Sequence, residues 1–305
     1  MVITMTIIAL VTDAESINND FDMPLLIQAC DLLGIKTEIV RWDDLSINWS
    51  KYVLVILRSP WSYVDRFNEF IKWCSDIDKK TTLLNPLKVV SWGLNKKYLL
   101  DLKDKSVDII TTLLIEQKEQ NVNIIVNDFL KKNRLNDKIV IKPSVGAYSR
   151  GVKIFSTNEQ EQIISYINEL HSSGNDVLIQ PYLTSINSNG ETDLVYFDGN
   201  YSHSIRKNAL LQPDGSVSEP LQEYRKSRNA SKAELNVAER ALKAVTEIFS
   251  LEKPLLYARI DLVLDDSGKP VILEMEISEP SLNLPFAEGS ALRLAEAIRR
   301  RLPTK

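Results

Sequence analysis

The pattern of apolar and polar positions divides the chain into three regions, and the first alternates short apolar runs with helical periodicity. The apolar runs predict buried strands at residues 3–11, 37–41, 52–57 and 81–84. The stretches with the periodicity of helices lie at residues 22–33 and 66–74. Strands that alternate with helices at this spacing indicate a parallel α/β sheet that is covered on both faces.

The second region has shorter strands and a less regular order of elements. Its predicted helices lie at residues 95–103, 122–132 and 159–170. Its predicted strands lie at residues 108–114, 138–143, 152–155 and 177–181. This mixture indicates a compact α+β lobe.

The third region combines strand pairs with amphipathic helices. The strand pairs are predicted around residues 191–207 and 257–277, and the helices at residues 231–249 and 288–301. Residues 212–229 are polar and contain two prolines and a glycine, which predicts a long exposed loop.

Composition is consistent with this three-part organisation and narrows the class of protein. With 305 residues, of which 44% are hydrophobic, the chain can bury a sizeable core and form several lobes. We place the lobes at residues 1–94, 95–183 and 184–305. The net charge of −4 argues against a protein that coats nucleic acid or an anionic membrane. A small-molecule substrate fits better, and the sequence leaves a homo-oligomer open.

Targeting and redox signals point to the reducing cytoplasm. The apolar N-terminus lacks a basic leader and a small-residue cleavage site, which predicts a first strand rather than a signal peptide. No apolar run approaches the roughly 20 residues that a membrane-spanning helix needs. Cys30 and Cys74 lie far apart, and the histidines, His171 and His203, lie far from both, so neither a disulfide nor a zinc site is expected.

The most informative chemical signal is a predicted β-hairpin at residues 257–276. Symmetric pairing about its tight turn sets Ile260 opposite Leu273 and Leu262 opposite Val271, which fills one face with apolar side chains. The other face then carries charged side chains only, because side chains alternate along a strand. These are Arg259, Asp261, Glu274 and Glu276.

Three carboxylates gathered on two neighbouring strands repel one another unless positive charge lies among them. Mg²⁺ takes oxygen ligands of this kind, and phosphate oxygens complete its coordination. The hairpin therefore predicts a site for a metal ion and a nucleotide. The alternative is a solvated polar face, which is common on strands at the edge of a sheet.

A polar loop with two glycines follows the predicted strand 138–143. Lys142 lies near the end of that strand, and Gly146 and Gly151 lie in the loop. Such a loop can bind phosphate, because glycines expose backbone N–H groups and a lysine neutralises the charge. It is not a P-loop, since valine and lysine follow Gly151. Taken alone, a simple hairpin turn explains the loop equally well.

Two further segments have more than one interpretation. The run from Gln180 to Leu183 leaves an apolar strand through a proline, and its extended backbone could pair with the edge of an adenine. It could equally be a linker between lobes. Lys96 lies at the start of a predicted helix, where it could reach a phosphate or extend into solvent.

Taken in order along the chain, these motifs resemble those of the ATP-grasp superfamily, in the branch shared with glutathione synthetase. More closely, nearly the whole chain is similar to the O-ureido-D-serine cyclo-ligase family of cycloserine biosynthesis. The segments that carry this resemblance are Arg58-Ser-Pro-Trp61-Ser-Tyr63, Lys96-Lys-Tyr-Leu99, Gly190-Glu191, Tyr201-Ser-His203-Ser-Ile-Arg-Lys207, Leu256-Tyr-Ala-Arg-Ile-Asp261 and Glu279-Pro-Ser-Leu282.

The resemblance implies an ATP-grasp fold, in which an N-terminal parallel α/β lobe precedes two α+β lobes that clasp ATP. It also implies residues for each part of the nucleotide. The implied phosphate contacts are Lys96, Lys142 and Lys207, with a closing loop that contains Gly146, Ser149 and Gly151. The implied adenine contacts are Gln180, Tyr182 and Leu183, with Glu191 on the ribose. The implied ligands of Mg²⁺ or Mn²⁺ are Asp261, Glu274 and Glu276.

The activity implied by the resemblance is that of an ATP- and Mg²⁺-dependent ligase. Such an enzyme phosphorylates a carboxyl-like group of a small amino-acid-type substrate, and the acyl phosphate then reacts with a nitrogen of the same or another molecule. Lys207 would contact the transferring phosphate, and Arg206 and Arg259 are expected to stabilise the tetrahedral intermediate. A small-molecule kinase and a non-catalytic nucleotide-binding module are the alternatives.

The acceptor pocket is predicted where the first lobe meets the last. Arg58 follows the predicted strand 52–57, and open α/β sheets bind their ligands at that end of the strands. An arginine there can hold a carboxylate bidentately, and nearby aromatic residues would enclose a compact space. The alternative is that the aromatics are packing and the arginine forms an ion pair. The predicted pocket residues are Arg58, Trp61, Tyr63, His203 and Ser281.

Overall fold

The structure is a computed structural model that describes residues 6–135, 137–147, 149–208, 215–216 and 225–303. Three β-sheets follow one another along the chain. The first sheet is parallel, in the order β2-β1-β3-β4. Its strands are β1 (Ile7–Thr12), β2 (Lys36–Arg41), β3 (Leu54–Ser59) and β4 (Thr82–Leu84), and its helices are α1 (Met23–Leu32) and α2 (Phe67–Asp78). The predicted parallel α/β sheet is therefore confirmed.

Strands β1 and β3 are buried on both faces, which explains why they read as continuous apolar runs. One face packs against α1 and against helix 290–301 at the C-terminus. The other face packs against α2 and a cluster of aromatic rings that includes Trp42, Phe70 and Trp73. A 3₁₀ helix, Trp61–Arg66, follows β3 directly. The chain then continues through α3 (Leu87–Gly93) and α4 (Tyr98–Asp104).

The central sheet is antiparallel, in the order β5-β8-β6-β7. Its strands are β5 (Leu113–Ile115), β6 (Lys138–Pro143), β7 (Lys153–Ser156) and β8 (Val177–Pro181), and its helices are α5 (Val122–Lys132) and α6 (Gln160–Ser172). The amphipathic faces of α5 and α6 share one apolar core with β6 and β8. This arrangement confirms the predicted α+β region.

The single strand predicted at residues 108–114 is wrong. Its first half pairs with the last sheet, where the backbone N–H of Ile110 donates to the carbonyl of Ile272 at 2.9 Å. Its second half begins β5 of the central sheet. One apolar run therefore crosses from one sheet to the other, and the apolar pattern alone does not reveal the change of partner.

The last sheet is also antiparallel, in the order β11-β10-β9-β12-β13. Its strands are β9 (Glu191–Phe197), β10 (Asn200–Lys207), β11 (Arg225–Arg228), β12 (Tyr257–Leu264) and β13 (Pro270–Glu276). The helices of this part are α7 (Ser185–Asn189), α8 (Lys232–Phe249) and α9 (Ser290–Arg301). A capping box of Ser231 and Glu234 begins α8.

The exposed loop predicted at residues 212–229 is wrong in part, because β11 pairs with β10 along its edge. Residues 209–214 and 217–224 lie outside the described residues. The division into lobes at residues 94 and 183 stays a prediction. Helix α4 is relevant to the first boundary of the central lobe, since Tyr98, Leu99 and Leu102 share a core with α8 that Leu178 of the central sheet also joins.

The register predicted for the hairpin is wrong by a small shift, although the predicted face is correct. Arg259 pairs with Glu276 and Asp261 with Glu274, but the register then shifts so that Leu262 pairs with Ile272. Leu273 is the extra residue of a β-bulge. The bulge keeps the four charged side chains together on one face while it changes their opposite neighbours.

Asn85, which follows β4, connects the first sheet to the last. Its amide donates to the carbonyls of Tyr257 (2.9 Å) and Ile277 (2.8 Å), and its carbonyl accepts from the N–H of Leu256 (2.7 Å). The side chain is completely buried. These contacts fix the position of the first sheet relative to the strands that carry the charged face.

We expect Asn85→Ala to lower the free energy of unfolding by about 3 kcal/mol, because it leaves three buried backbone groups unpaired. Urea denaturation followed by tryptophan fluorescence measures this change. Asn200→Ala, at the exposed start of β10, is the matched control and should leave the midpoint nearly unchanged. Equal midpoints for both variants would contradict the connecting role of Asn85.

Within the described residues, every helix is too short or too polar to cross a bilayer. Cys30 and Cys74 are separate buried thiols, which agrees with the expectation of no disulfide between them.

Candidate active site

A cavity of about 650 Å³ lies between the segment after β3, the central sheet and the last sheet. Most of the predicted site residues line it, although they come from distant parts of the sequence. Those that line it are Trp61, Tyr63, Lys96, Lys142, Gly146, Ser149, Gln180, Tyr182, Leu183, Glu191, Lys207, Arg259, Asp261, Glu274, Glu276 and Ser281. Four others, Arg58, Gly151, His203 and Arg206, are not part of the lining.

Glu274 faces two lysines across the cavity from the end of β13. Its carboxylate lies 2.9 Å from the ammonium of Lys142 and 4.0 Å from that of Lys96. Burial alone would raise the pKa of Glu274, but the two lysines outweigh burial and lower it to about 2. Glu274 is therefore an anion at neutral pH, with a lysine from the central sheet as its partner.

Arg259 lies between two of the predicted metal ligands. Its guanidinium forms two hydrogen bonds to Asp261, at 2.8 and 2.7 Å, and an ion pair with Glu276 at 2.7 Å. It also donates to the carbonyl of Ser281 at 2.9 Å. Burial disfavours this cation, but the surrounding carboxylates hold the pKa of Arg259 well above its usual range. The arginine thus links both strands of the hairpin to the loop that follows it.

Lys207 reaches the same face from β10. Its ammonium lies 2.9 Å from Glu191, 3.4 Å from Asp193 and 3.6 Å from Asp261. Oxygen atoms of these three carboxylates all lie within 4.8 Å of one another, a spacing that could hold a metal ion. Because the lysine already supplies the positive charge there, we assign Glu191 and Asp193 to Lys207 and not to a metal, and Asp261 remains available as a ligand.

The donor chemistry of the remaining carboxylates fits a divalent cation. The side chain of Glu276 is 35% exposed and faces the cavity. Its enclosure, together with repulsion from Asp261, Glu279 and Glu274, raises its pKa to about 8 in spite of the nearby Arg259. A divalent cation would relieve this repulsion, and the carboxylates of Asp261, Glu274 and Glu276 offer the oxygen ligands that Mg²⁺ prefers.

The glycine-containing loop after β6 covers one side of the cavity. Lys96 holds this loop through two bonds, from its ammonium to the carbonyl of Gly146 and from its backbone N–H to the carbonyl of Ser144, both at 2.7 Å. Gly151 has a φ of +71°, and a Cβ there would lie 3.3 Å from the ring of Pro143. Gly151 thus shapes the turn rather than the cavity surface, so its prediction as a nucleotide contact is not supported.

The end of the cavity near β8 is a largely apolar slot. Its walls include Val140, Leu183, Val263 and Leu273. Gln180 is almost completely buried there and donates to the hydroxyl of Thr112 at 2.9 Å. A narrow apolar slot with polar groups at its rim suits a flat aromatic base such as adenine.

These features have counterparts among known proteins. The family described as D-cycloserine synthetase DcsG, N-terminal domain, matches residues 8–85. The cycloserine biosynthesis protein DcsG of Streptomyces lavendulae is 41% identical to this chain, over 98% of this chain and 99% of that protein. The chain belongs to the DcsG family of ATP-grasp ligases. A crystal structure of D-cycloserine synthetase DcsG has a TM-score of 0.93 and covers 97% of this chain and 100% of its own.

More distant solved structures share the fold of this DcsG-family ligase. D-alanine–D-alanine ligase from Bacillus anthracis has a TM-score of 0.67 at 16% identity, over 97% of this chain and 96% of its own. ATP-grasp ligase PsnB, solved with a variant of its minimal precursor, Mg and ADP, has a TM-score of 0.61 at 15% identity, over 98% and 99%. The predicted ATP-grasp fold and ligase class are confirmed.

Arg58 does not bind in the cavity of this DcsG-family ligase, and its prediction as a substrate contact is wrong. The side chain is completely buried, lies 3.5 Å from the carboxylate of Asp22 and donates to the carbonyl of Pro280 at 3.1 Å. Asp22 in turn accepts from the N–H groups of Leu282 (2.5 Å) and Leu284 (2.7 Å). Arg58 and Asp22 thus bind the backbone of the loop 280–284 and fix its position.

His203 was also wrongly predicted as a substrate contact, because it holds the same loop. Its Nε2 lies 2.9 Å from the carbonyl of Leu282, and its Nδ1 lies 2.8 Å from the hydroxyl of Ser202. These partners favour a neutral ring that donates from Nε2 to Leu282. Burial lowers the pKa of His203 to about 4.

We expect His203 to make the protein less stable in mild acid. An unfolded histidine has a pKa of about 6.5, so the unfolded chain binds more protons than the folded one between about pH 6.5 and 4. Stability should therefore fall as the pH falls through this window, by up to about 3 kcal/mol. His203→Gln should remove most of this loss, whereas the control His171→Gln should retain it. Denaturation midpoints at pH 7 and pH 5 measure this loss of stability. If His203→Gln lost as much stability at pH 5 as the parent protein, the effect assigned to His203 would be wrong.

Arg206 points away from the cavity, so its predicted role in stabilising the tetrahedral intermediate is wrong. It precedes Lys207 on β10, and neighbouring residues of a strand face opposite sides. Its guanidinium donates to the carbonyl of Ser188 in α7. Because Arg206 and Lys207 are adjacent on one strand, the sequence alone indicates that they cannot both face the cavity.

Some polar residues at this site had no individual predicted role, and among them are Asp193, Arg225 and Glu279. Asp193 follows Glu191 by two positions on β9, so strand alternation could have placed both on one face. Arg225 lines the cavity from β11, with its guanidinium 4.8 Å from the ring centre of Phe21. Glu279 lines the cavity beside Trp61 and carries no strand signal, since it follows the end of β13.

Proposed function

We propose that this ligase uses ATP and Mg²⁺ to close the ring of cycloserine or a close analogue. In this reaction the carboxylate of an O-ureido-D-serine-type amino acid is phosphorylated, and a nitrogen on its side-chain oxygen displaces the phosphate. The observation that carries the proposal is the charged face of the last sheet. Asp261, Glu274 and Glu276 lie there in ion pairs with cations that nucleotide phosphates could attract instead.

The three carboxylates would hold Mg²⁺ as its protein ligands. A bound Mg²⁺ would neutralise phosphate charge and polarise the phosphoryl group for transfer. Lys142 and Lys96, which now lie beside Glu274, would then turn to the phosphates. This exchange of partners would keep Glu274, Lys142 and Lys96 paired with opposite charge, with and without the nucleotide.

The remaining nucleotide contacts follow from the cavity walls. The slot beside Gln180, Tyr182 and Leu183 would take the adenine, and Glu191 would accept from the ribose hydroxyls. The loop at Gly146 and Ser149 would cover the phosphates and limit the access of water. Exclusion of water matters because an acyl phosphate hydrolyses when exposed.

Three steps make up the reaction. First, a carboxylate oxygen of the amino acid attacks the terminal phosphorus of ATP, the bond to ADP breaks, and an acyl phosphate forms. The nitrogen then attacks the acyl carbon, phosphate leaves, and the ring closes. Water finally removes the carbamoyl group from that nitrogen as carbon dioxide and ammonia. Arg259, on the same face as Lys207, would stabilise the negative oxygen of the tetrahedral intermediate.

The substrate would lie between the charged face and the segment after β3. Trp61, Tyr63 and Ser281 line this part of the cavity. A space enclosed by two aromatic rings suits one small amino acid better than a peptide or a second large substrate. This size favours ring closure within one molecule over joining two.

Turnover with O-ureido-D-serine tests the proposal. We expect ADP, phosphate, ammonia and D-cycloserine in equal amounts, with no product when ATP or Mg²⁺ is left out. D-Serine, which lacks the attacking nitrogen, is the matched control and should give no cyclic product. A stable phosphorylated product in place of the ring would indicate a kinase, and no ADP release from any ureido amino acid would contradict the proposal.

A further inference from the structure

Glu279 is held at a fixed position in the wall of the cavity. Its backbone carbonyl accepts from the indole N–H of Trp61 at 2.9 Å. The next two carbonyls are also bonded, that of Pro280 to Arg58 at 3.1 Å and that of Ser281 to Arg259 at 2.9 Å. Side chains from the first and last lobes thus fix the backbone of three consecutive residues, and the Glu279 side chain extends from this fixed backbone.

The partners of Glu279 differ from those of the other carboxylates on this side of the cavity. Asp261, Glu274 and Glu276 each form an ion pair with a lysine or arginine. Glu279 instead interacts with the neutral hydroxyl of Tyr63, and this interaction lowers the pKa of the Glu279 carboxyl. Among the residues that the structure describes, no lysine or arginine nitrogen lies within 4.0 Å of its carboxylate.

The charged and titratable groups around Glu279 come from every neighbouring element. The cations that act on it at longer range are Lys96, before α4, and Arg259, on β12. The other groups are Tyr63 after β3, Cys74 on α2, Tyr257 on β12 and Glu276 on β13. Glu279 thus lies between the proposed metal ligands and the aromatic wall, next to Arg259, where the acyl group would react.

We propose that Glu279 is the base that accepts the proton from the attacking nitrogen during ring closure. This inference rests on the proposed function, because it assigns the proton of its second step. The nitrogen lone pair forms the C–N bond, and the bond between the acyl carbon and the phosphate oxygen breaks. Phosphate leaves with that electron pair, the nitrogen loses its proton to the carboxylate of Glu279, and the neutral acid later returns the proton to solvent.

The environment of Glu279 suits this task. Burial raises its pKa to about 7, although the Tyr63 hydroxyl and the positive charge of Lys96 oppose the rise. A base works best when its pKa lies near the working pH, because it is then partly ionised and still able to take a proton. The Tyr63 hydroxyl is neutral, so it stabilises the carboxylate without pairing it with a cation.

Trapping the acyl phosphate separates the first two steps of the reaction. Hydroxylamine is a neutral nucleophile at pH 7 and should capture the acyl phosphate as a hydroxamate without help from a base. With O-ureido-D-serine, ATP and Mg²⁺, we expect Glu279→Gln to lower cyclisation by about 100-fold or more, as for loss of a general base. Hydroxamate formation should stay within a few-fold of the parent. Glu288→Gln, at an exposed position outside the cavity, should change neither rate.

A second variant distinguishes loss of the base from loss of the folded structure. Tyr63→Phe removes the hydroxyl that acts on Glu279 but keeps the buried ring, so the ratio of cyclic product to hydroxamate should fall less than in Glu279→Gln. An equal loss of both products in Glu279→Gln, or no loss of either, would overturn the role of Glu279 as a base. If the parent itself gives neither product, the proposed function is wrong, and this inference is wrong with it.

Discussion

Glu274→Gln and Asp261→Asn are each expected to lower turnover by about 1,000-fold or more, because each removes a charged ligand from the proposed Mg²⁺ site. Glu274 is the carboxylate that Lys142 and Lys96 neutralise in the structure, and Asp261 is paired with Arg259. Loss of either charge should also raise the Mg²⁺ concentration needed for half-maximal activity. Steady-state ADP release across a Mg²⁺ titration measures both effects.

Asp266→Asn is the matched control for these two variants. It lies in the turn of the same hairpin, is exposed, and makes the same chemical change outside the cavity. We expect it to retain the activity and Mg²⁺ dependence of the parent. Turnover within a few-fold of the parent in Glu274→Gln or Asp261→Asn would contradict the metal assignment.

Arg58→Met is expected to lower the free energy of unfolding by about 3–5 kcal/mol near pH 8, because it leaves the carboxylate of Asp22 buried without its cation. Burial already raises the pKa of Asp22 to about 6, although Arg58 opposes this rise. The folded chain therefore binds more protons than the unfolded one between about pH 4 and 6, so stability falls as the pH rises through that range. Loss of Arg58 should extend this fall to higher pH.

The effect of Arg58→Met should therefore be larger at pH 8 than at pH 6. Chemical denaturation at the two pH values, with Arg41→Met on an exposed strand as control, measures the difference. If Arg58 were a substrate anchor instead, the variant would be as stable as the parent, and only the KM of the amino acid would rise. That result would support the prediction that Arg58 is part of the acceptor pocket.

Alternation along strands explains why the charged face could be predicted from sequence. Arg259, Asp261, Glu274 and Glu276 occupy every second position of two strands, so they share a face in any register that buries the apolar residues between them. The register itself could not be predicted. The bulge at Leu273 depends on contacts with the rest of the sheet and leaves no signal in the apolar pattern.

The acceptor side was harder to predict, because it depends on packing between distant segments. The predicted location at the end of β3 is correct for the aromatic residues, since Trp61 and Tyr63 line the cavity there. Whether the neighbouring Arg58 faced a ligand or an internal partner depended on Asp22, which lies on another element. Long-range pairings of this kind are not visible in one sequence.

Strand β11 and Glu279 show a further limit of the sequence pattern. Residues 225–228 read Arg-Lys-Ser-Arg and have no apolar positions, so only pairing with β10 reveals an edge strand. Glu279 lies beyond the last strand, and its position depends on bonds from Trp61, Arg58 and Arg259 to its own and the next two backbone carbonyls. Such positions become interpretable only once the fold is known.

The most direct test of the central claim follows an oxygen atom from the amino acid to phosphate. O-ureido-D-serine labelled with ¹⁸O in its carboxylate is converted with unlabelled ATP, and the phosphate released is analysed by ³¹P NMR. If the carboxylate is phosphorylated before the ring closes, the released phosphate carries one ¹⁸O atom that came from the substrate. Phosphate without ¹⁸O, released together with the cyclic product, would contradict the account.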